Sequence, residues 1–174
     1  ADPAHPRLDG AAEPGRGLTM EAGGADHGPG VRVPPPVLVA GLVALAWVLR
    51  RLLPLPVLPP LPDIGAVVML AGLGLGFWAV AALMRAGTDP RPDRPDAALV
   101  TGGPFRFSRN PIYLGFVLLA AGLALRWGDR WGWLAVLASQ QVLDRLVIAR
   151  EEPYLTARFG AGYEAYRARV RRWI

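Results

Sequence analysis

Four apolar runs separated by short polar segments organise the chain. The first, residues 37–53, is interrupted by Arg50-Arg51 and closes in the proline-rich stretch LLPLPVLPPLP. Arginines at the end of an apolar helix can carry their charge to the headgroup level while their stems stay in the apolar layer, and Pro34 suits a first turn, so this run is expected to span a bilayer. The second run, residues 64–84, has 21 consecutive uncharged residues. At 1.5 Å per residue it reaches about 31 Å, the thickness of the hydrocarbon layer. Two further runs, 111–125 and 131–149, are joined by Arg-Trp-Gly-Asp-Arg. The third has only 15 residues and the fourth carries Gln140, Gln141, Asp144 and Arg145. A tight helical hairpin with a partly polar inner face accommodates both.

After Arg150 the pattern becomes amphipathic. Leu155, Phe159, Tyr163, Tyr166, Val170 and Trp173 recur at spacings of three and four, and Arg158, Glu164, Arg167, Arg169 and Arg171 lie mostly off that stripe. Such a helix lies on the membrane surface or packs against the polar 85–109 loop, and Gly160 with Gly162 can divide it in two. At the other end, the first 36 residues hold seven Pro and seven Gly with few large apolar residues. That stretch cannot bury enough surface to offset its ordering entropy, so residues 1–33 are expected to form a disordered leader. The chain begins at Ala1, and Met20 is a candidate start. The predicted fold class is an all-α membrane protein. Its single domain, residues 34–174, holds about four transmembrane helices and a C-terminal amphipathic cytosolic helix.

Composition sharpens this picture. Only 19% of residues are charged and 52% are hydrophobic, against about 25% charged in soluble chains, which excludes an ordinary soluble domain. All 19 basic residues are Arg. They sit at the ends of apolar runs instead of interleaving with aromatics, which argues against a nucleic-acid partner and for membrane topology. With four spans, 14 arginines fall with the leader, the 85–109 loop and the tail, and four (Arg50, Arg51, Arg126, Arg130) on the other side. The positive-inside rule then puts both termini of an integral inner-membrane protein in the cytoplasm. There is no Cys, and His5 and His27 both lie in the leader, so thiol chemistry is excluded and no metal site is expected.

Three segments carry candidate chemistry. The GLGLG string at 72–76 has the look of a nucleotide loop, but it follows no strand and sits mid-membrane. Gly72 with Gly76 reads better as small-xxx-small helix packing. In GGPFRFSRNPIYLG, Asn110 and Pro111 stand where a helix begins, as N-cap and first residue. With Arg106 or Arg109 nearby, that helix start can hold an anion at the membrane surface. The third is Arg150-Glu151-Glu152, directly after the fourth run. Asp144 and Arg145 are adjacent in sequence and do not face one direction, and Arg145 inside an apolar run needs a partner or a polar cavity.

LVTGGPFRFSRNPIYLG followed by IAREEPYLTARFGAGYEAYRARVRRWI resembles the isoprenylcysteine carboxyl methyltransferase and phospholipid methyltransferase superfamily, especially its small prokaryotic members. The likeness covers residues 88–174, with a weaker one in the first two helices. It implies an integral membrane enzyme that uses S-adenosylmethionine. By the same resemblance the cofactor contacts would be Ala97, Ala98, Leu99, Val100, Phe105, Asn110, Pro111, Ile112, Tyr113 and Glu151. Two positions depart from the pattern: Asn110 stands where the carboxyl methyltransferases have His, and Val147 where they have a substrate-contacting Arg. Both departures leave the cofactor implication intact and count against a prenylcysteine acceptor.

The residue chemistry agrees with that implication. S-adenosylmethionine carries a carboxylate, an ammonium and a sulfonium, and so needs donors, an acid and an apolar slot. Arg109 with the Asn110 helix start, Glu151 or Glu152, and Phe105 or Tyr113 supply these in turn. Methyl transfer to a carboxylate needs no base, whereas an amine or thiol acceptor must lose a proton, for which Glu152 is the candidate; Arg145 is the second candidate for a direct part in catalysis. The expected partners are the lipid bilayer and a lipophilic or small-molecule methyl acceptor. A noncatalytic four-helix interaction module is the alternative. A small-solute transporter is disfavoured because only Asp144 and Arg145 enter the runs deeply.

Overall fold

The computed structural model describes residues 33–91 and 97–174, so the expected leader, apart from its last residue, lies outside the described residues. The chain forms α1 (Pro35–Leu52), α2 (Pro62–Arg85), a 3-10 turn (Gly103–Arg106), α3 (Pro111–Trp127), α4 (Arg130–Val142), a π-helical stretch (Leu143–Ile148), α5 (Ala149–Phe159) and α6 (Ala161–Arg169). No strand is present among the described residues. Proline opens α1, α2 and α3 in the first turn, where its missing N–H would have had no helical partner. By length and composition α1 and α2 can each cross a membrane, while α3 is a shorter apolar helix of 17 residues.

Glycine sets the closest contact. A methyl group at Gly65 would lie 2.5 Å from the Gly122 carbonyl oxygen, and one at Gly72 would lie 2.8 Å from that of Gly115. The pairs run in opposite order along the two helices, so α2 and α3 are antiparallel. Any side chain at these positions would force the backbones apart. Within GLGLG the packing role therefore belongs to Gly72, with the backbone of Gly76 beside Gly115, while Gly74 faces open space. Helix α3 is central, with α2 on one side and α4 and α1 on the other.

One end of the bundle is closed by the proline-rich loop. Val57 and Leu58 donate their N–H groups to the Gly128 carbonyl, and Trp131 Nε1 donates to the Leu53 carbonyl at 2.7 Å. Gly128 takes the left-handed conformation that ends α3 (φ +65°), and Asp129 then caps α4 by accepting from Gly132 N at 3.1 Å. The expected tight hairpin between the third and fourth runs is this turn.

The fourth run does not stop at residue 149. Helices α4 and α5 are continuous through the π-helical stretch, which precedes Pro153 and ends at Ile148. A proline cannot bond the carbonyl four residues back, that of Ala149, and a wider turn just before it relieves the crowding there. The extra residue in that turn also changes the phase of every later side chain, Glu151 and Glu152 included. The chain breaks at Gly160 (φ +51°), whereas Gly162 stays inside α6. Of the two placements expected for the amphipathic run, packing against the loop is found. Tyr163 and Tyr166 are buried with Phe105 and Ala79, and Leu99 and Val100 pack on them.

Candidate functional site

A cleft of about 850 Å³, counting its open mouth, lies at the end of the bundle opposite the proline-rich loop. Its walls come from Leu83 near the end of α2, Asp89 to Arg91 after it, the loop from Ala98 to Asn110, the start of α3, and α5 and α6. Thr88, almost fully buried, fixes the loop: its hydroxyl accepts from Ala98 N at 3.1 Å and donates to the Ala98 carbonyl at 3.3 Å. The 3-10 turn then buries Phe105, whose carbonyl accepts from Tyr166 Oη at 2.7 Å. Burial holds the Tyr166 phenol well above its ordinary pKa, so it is a neutral donor at any physiological pH. Tyr163 is raised too, first by burial and then by the nearby Glu152 carboxylate.

Asn110 holds the N-cap position of α3, but its side chain accepts nothing from the helix. Its Nδ2 donates to the Arg172 carbonyl at 3.0 Å, and its N–H donates to Ser108 Oγ at 3.1 Å. In place of the expected side-chain cap, in which Oδ1 would accept from the helix, the Asn110 amide is tethered through Nδ2 to the segment after α6.

The acids of α5 complete the cleft. Tyr113 Oη donates to Glu151 Oε1 in a short hydrogen bond. Glu152 Oε1 accepts from Arg109 Nη2 at 2.9 Å and from Arg172 Nε at 3.0 Å, and its Oε2 accepts from Arg172 Nη2 at 2.5 Å. Both Glu152 oxygens are therefore held by guanidinium groups, which disfavours the base role expected of it. The hydrogen bond to Glu152 is the main reason the Arg172 pKa is raised further. Arg109, with a side chain only 10% exposed, keeps two buried donors, Nε and Nη1, without a partner among the described residues. Unsatisfied buried donors on a cleft wall are costly in isolation and are the groups an anionic ligand would satisfy.

Most of the expected site residues meet here. Ala98, Leu99, Val100, Phe105, Arg109, Asn110, Pro111, Ile112, Tyr113, Glu151 and Glu152 all line the cleft. Ala97 does not; it is exposed at the edge of the loop. Arg145 does not either. It points to the exposed side of the π-helical stretch, while its neighbour Asp144 turns inward to Arg172 at 3.1 Å. Val147 is fully buried in the core beside Tyr113. Sequence reasoning missed Arg172, whose contacts are 20 and 28 residues away along the chain. It also missed the lining residues Leu155, Phe159, Tyr163 and Tyr166, for which the amphipathic stripe was the available signal. Among the described residues no group of three His, Cys, Asp or Glu side chains is placed to hold a metal ion.

A family model described as phospholipid methyltransferase matches residues 63–162, more than half of the chain. The chain is 38% identical over 63 residues to a protein of Haemophilus influenzae described only as uncharacterized, covering all of that protein and 36% of this chain. It is also 36% identical over 78 residues to the protein-S-isoprenylcysteine O-methyltransferase of Schizosaccharomyces pombe. That alignment takes in 43% of this chain and 32% of the yeast protein. No solved structure matches.

Proposed function

We propose that this chain, which belongs to the phospholipid methyltransferase family, is an S-adenosylmethionine-dependent methyltransferase that modifies a lipophilic or membrane-partitioned acceptor. The observation that carries the reading is Arg109, which lines a cleft that also presents an acid and an apolar surface and keeps two buried donors without a partner among the described residues. That donor set fits the cofactor. Arg109 would hold its carboxylate, Glu151 its ammonium or ribose hydroxyls, and Phe105 with Leu99 and Val100 the adenine. When bound, the cofactor supplies a methyl group already activated by a sulfonium.

The chain's own contribution is positioning and exclusion of water, since displacement at such a carbon needs no protein nucleophile. Because Glu152 is engaged on both oxygens, the arrangement favours an acceptor that arrives deprotonated, a carboxylate, over an amine or thiol. In the bilayer we read four spans, α1, α2, α3 and the run from α4 into the π-helical stretch, with the cleft and both termini on the cytoplasmic side. Reporter fusions at Asp129 and after Ile174 should then report opposite sides. A noncatalytic interaction module remains the competing reading, and it leaves the Arg109 donors without a purpose. The deciding experiment is a methyl-transfer assay on membranes containing the protein, against prenylated-cysteine carboxylate, phospholipid amine and thiol acceptors. Transfer to at least one of the three is expected. No transfer to any of the three would favour the noncatalytic module.

A further inference from the structure

The segment 170–173 leaves α6 and returns to the loop before α3. Arg109 N donates to the Arg171 carbonyl at 3.0 Å, and the Arg172 carbonyl accepts from Ser108 Oγ at 3.2 Å and Asn110 Nδ2 at 3.0 Å. Trp173 packs on the core cluster that contains Tyr113 and Val147. From this anchored backbone the Arg172 side chain grips Glu152 with Nε and Nη2 and both Asp144 oxygens with Nη1. Arg172 itself is not part of the cleft wall.

A carboxylate and a guanidinium left to themselves pair through two parallel hydrogen bonds. If Glu152 paired with Arg109 in that way, it would use a second Arg109 donor and draw the guanidinium away from the cleft. The observed pair has one bond, to an Oε1 shared with Arg172 Nε, while Oε2 accepts from Arg172 Nη2. Resting on the methyltransferase reading, we propose that Arg172 is a positioning residue of the cofactor site. By holding Glu152 in a two-bond fork braced on Asp144, it restricts Arg109 to a single bond and leaves Nε and Nη1 for the carboxylate of S-adenosylmethionine. The segment 170–173 is thus part of the binding machinery without touching the ligand.

The test is equilibrium binding of labelled S-adenosylmethionine to the purified full chain in detergent, with thermal stability measured in parallel. Arg172→Gln should weaken binding about tenfold or more. Arg172→Lys should also weaken it, because an ammonium cannot occupy both oxygens as a fork does. Asp144→Asn, which removes only the brace, should give a smaller loss of the same sign. In a Glu152→Gln background, Arg172→Gln should cost nothing further, since the competitor it restrains has gone. A role confined to anchoring the tail would lower stability and cost the same affinity in both backgrounds, and that result overturns the proposal. Full affinity in both Arg172→Lys and Asp144→Asn would overturn it as well. Absence of binding by the unaltered protein would instead remove the methyltransferase reading on which it stands.

Discussion

The two ends of the bundle use the same chemistry to different effect. At the proline-rich end, Asp129 is buried and fully used: one oxygen caps α4 through Gly132 N, and the other accepts from Arg50 Nε at 3.0 Å. Arg50 also lies over the Trp127 ring, 5.2 Å from its centroid. At the cleft end, Arg109 and Arg172 share Glu152, Arg172 also binds Asp144, and Arg109 keeps two buried donors that have no partner among the described residues. A balanced set of donors and acceptors makes an anchor, whereas an excess of donors beside a cavity makes a receptor. Stability is thus expected to depend on the first end and ligand affinity on the second.

Asp129→Ala should give the largest stability change, a loss of about 3 kcal/mol, from a broken, mostly buried ion pair together with a lost helix cap. Denaturation in detergent would measure it, and cofactor affinity of the folded fraction should stay the same. If affinity fell with it, the two ends would not be separable. Arg109→Gln reverses the pattern: affinity for S-adenosylmethionine should drop ten- to a hundredfold, about 1.5–3 kcal/mol, with a smaller loss of stability than in Asp129→Ala, because the Arg109 bond to Glu152 goes while Glu152 keeps both bonds from Arg172. Glu151→Gln should move affinity in the same direction.

Asn110→Asp should affect both readouts. An aspartate cannot donate to the Arg172 carbonyl, so about 1–2 kcal/mol of stability and part of the affinity should go together. Asn110→His, which keeps a ring N–H, should retain more of each. The smallest effect is expected at Tyr166, where Tyr166→Phe removes the hydrogen bond to the Phe105 carbonyl at a cost of about 1 kcal/mol. The raised Tyr166 pKa gives a sign for pH as well. Its stabilising contribution is complete below the unfolded phenol value of about 10 and is lost as pH climbs from there towards the folded value, so a scan from pH 6 to 9 should be flat in this respect.

The features legible in the sequence are those set by local rules. Runs of apolar residues placed α1 to α3 and the start of α4 within a few positions, Asn110-Pro111 marked the start of α3, and Gly72 was read correctly as a packing residue. Features that depend on where distant segments return were not legible. Nothing within four residues of Arg172 indicates Glu152 or Asp144 as partners, because the chain must first reverse at Gly160 and leave α6. For the same reason Asn110 looked like a cap: its true acceptor is a carbonyl 62 residues away. Arg145 was misplaced because an arginine in an apolar run implies a partner, while the π-helical stretch turns it outward and Asp144 inward.

The most direct test of the central claim, that the cleft is a cofactor site built around the spare donors of Arg109, is a titration of the purified protein with S-adenosylmethionine, run side by side on unaltered, Arg109→Gln and Asp129→Ala proteins. Saturable binding by the unaltered protein, a ten- to hundredfold loss in Arg109→Gln and no loss in folded Asp129→Ala are the predicted results. Equal affinity of the unaltered and Arg109→Gln proteins, or no binding by either, would contradict the claim.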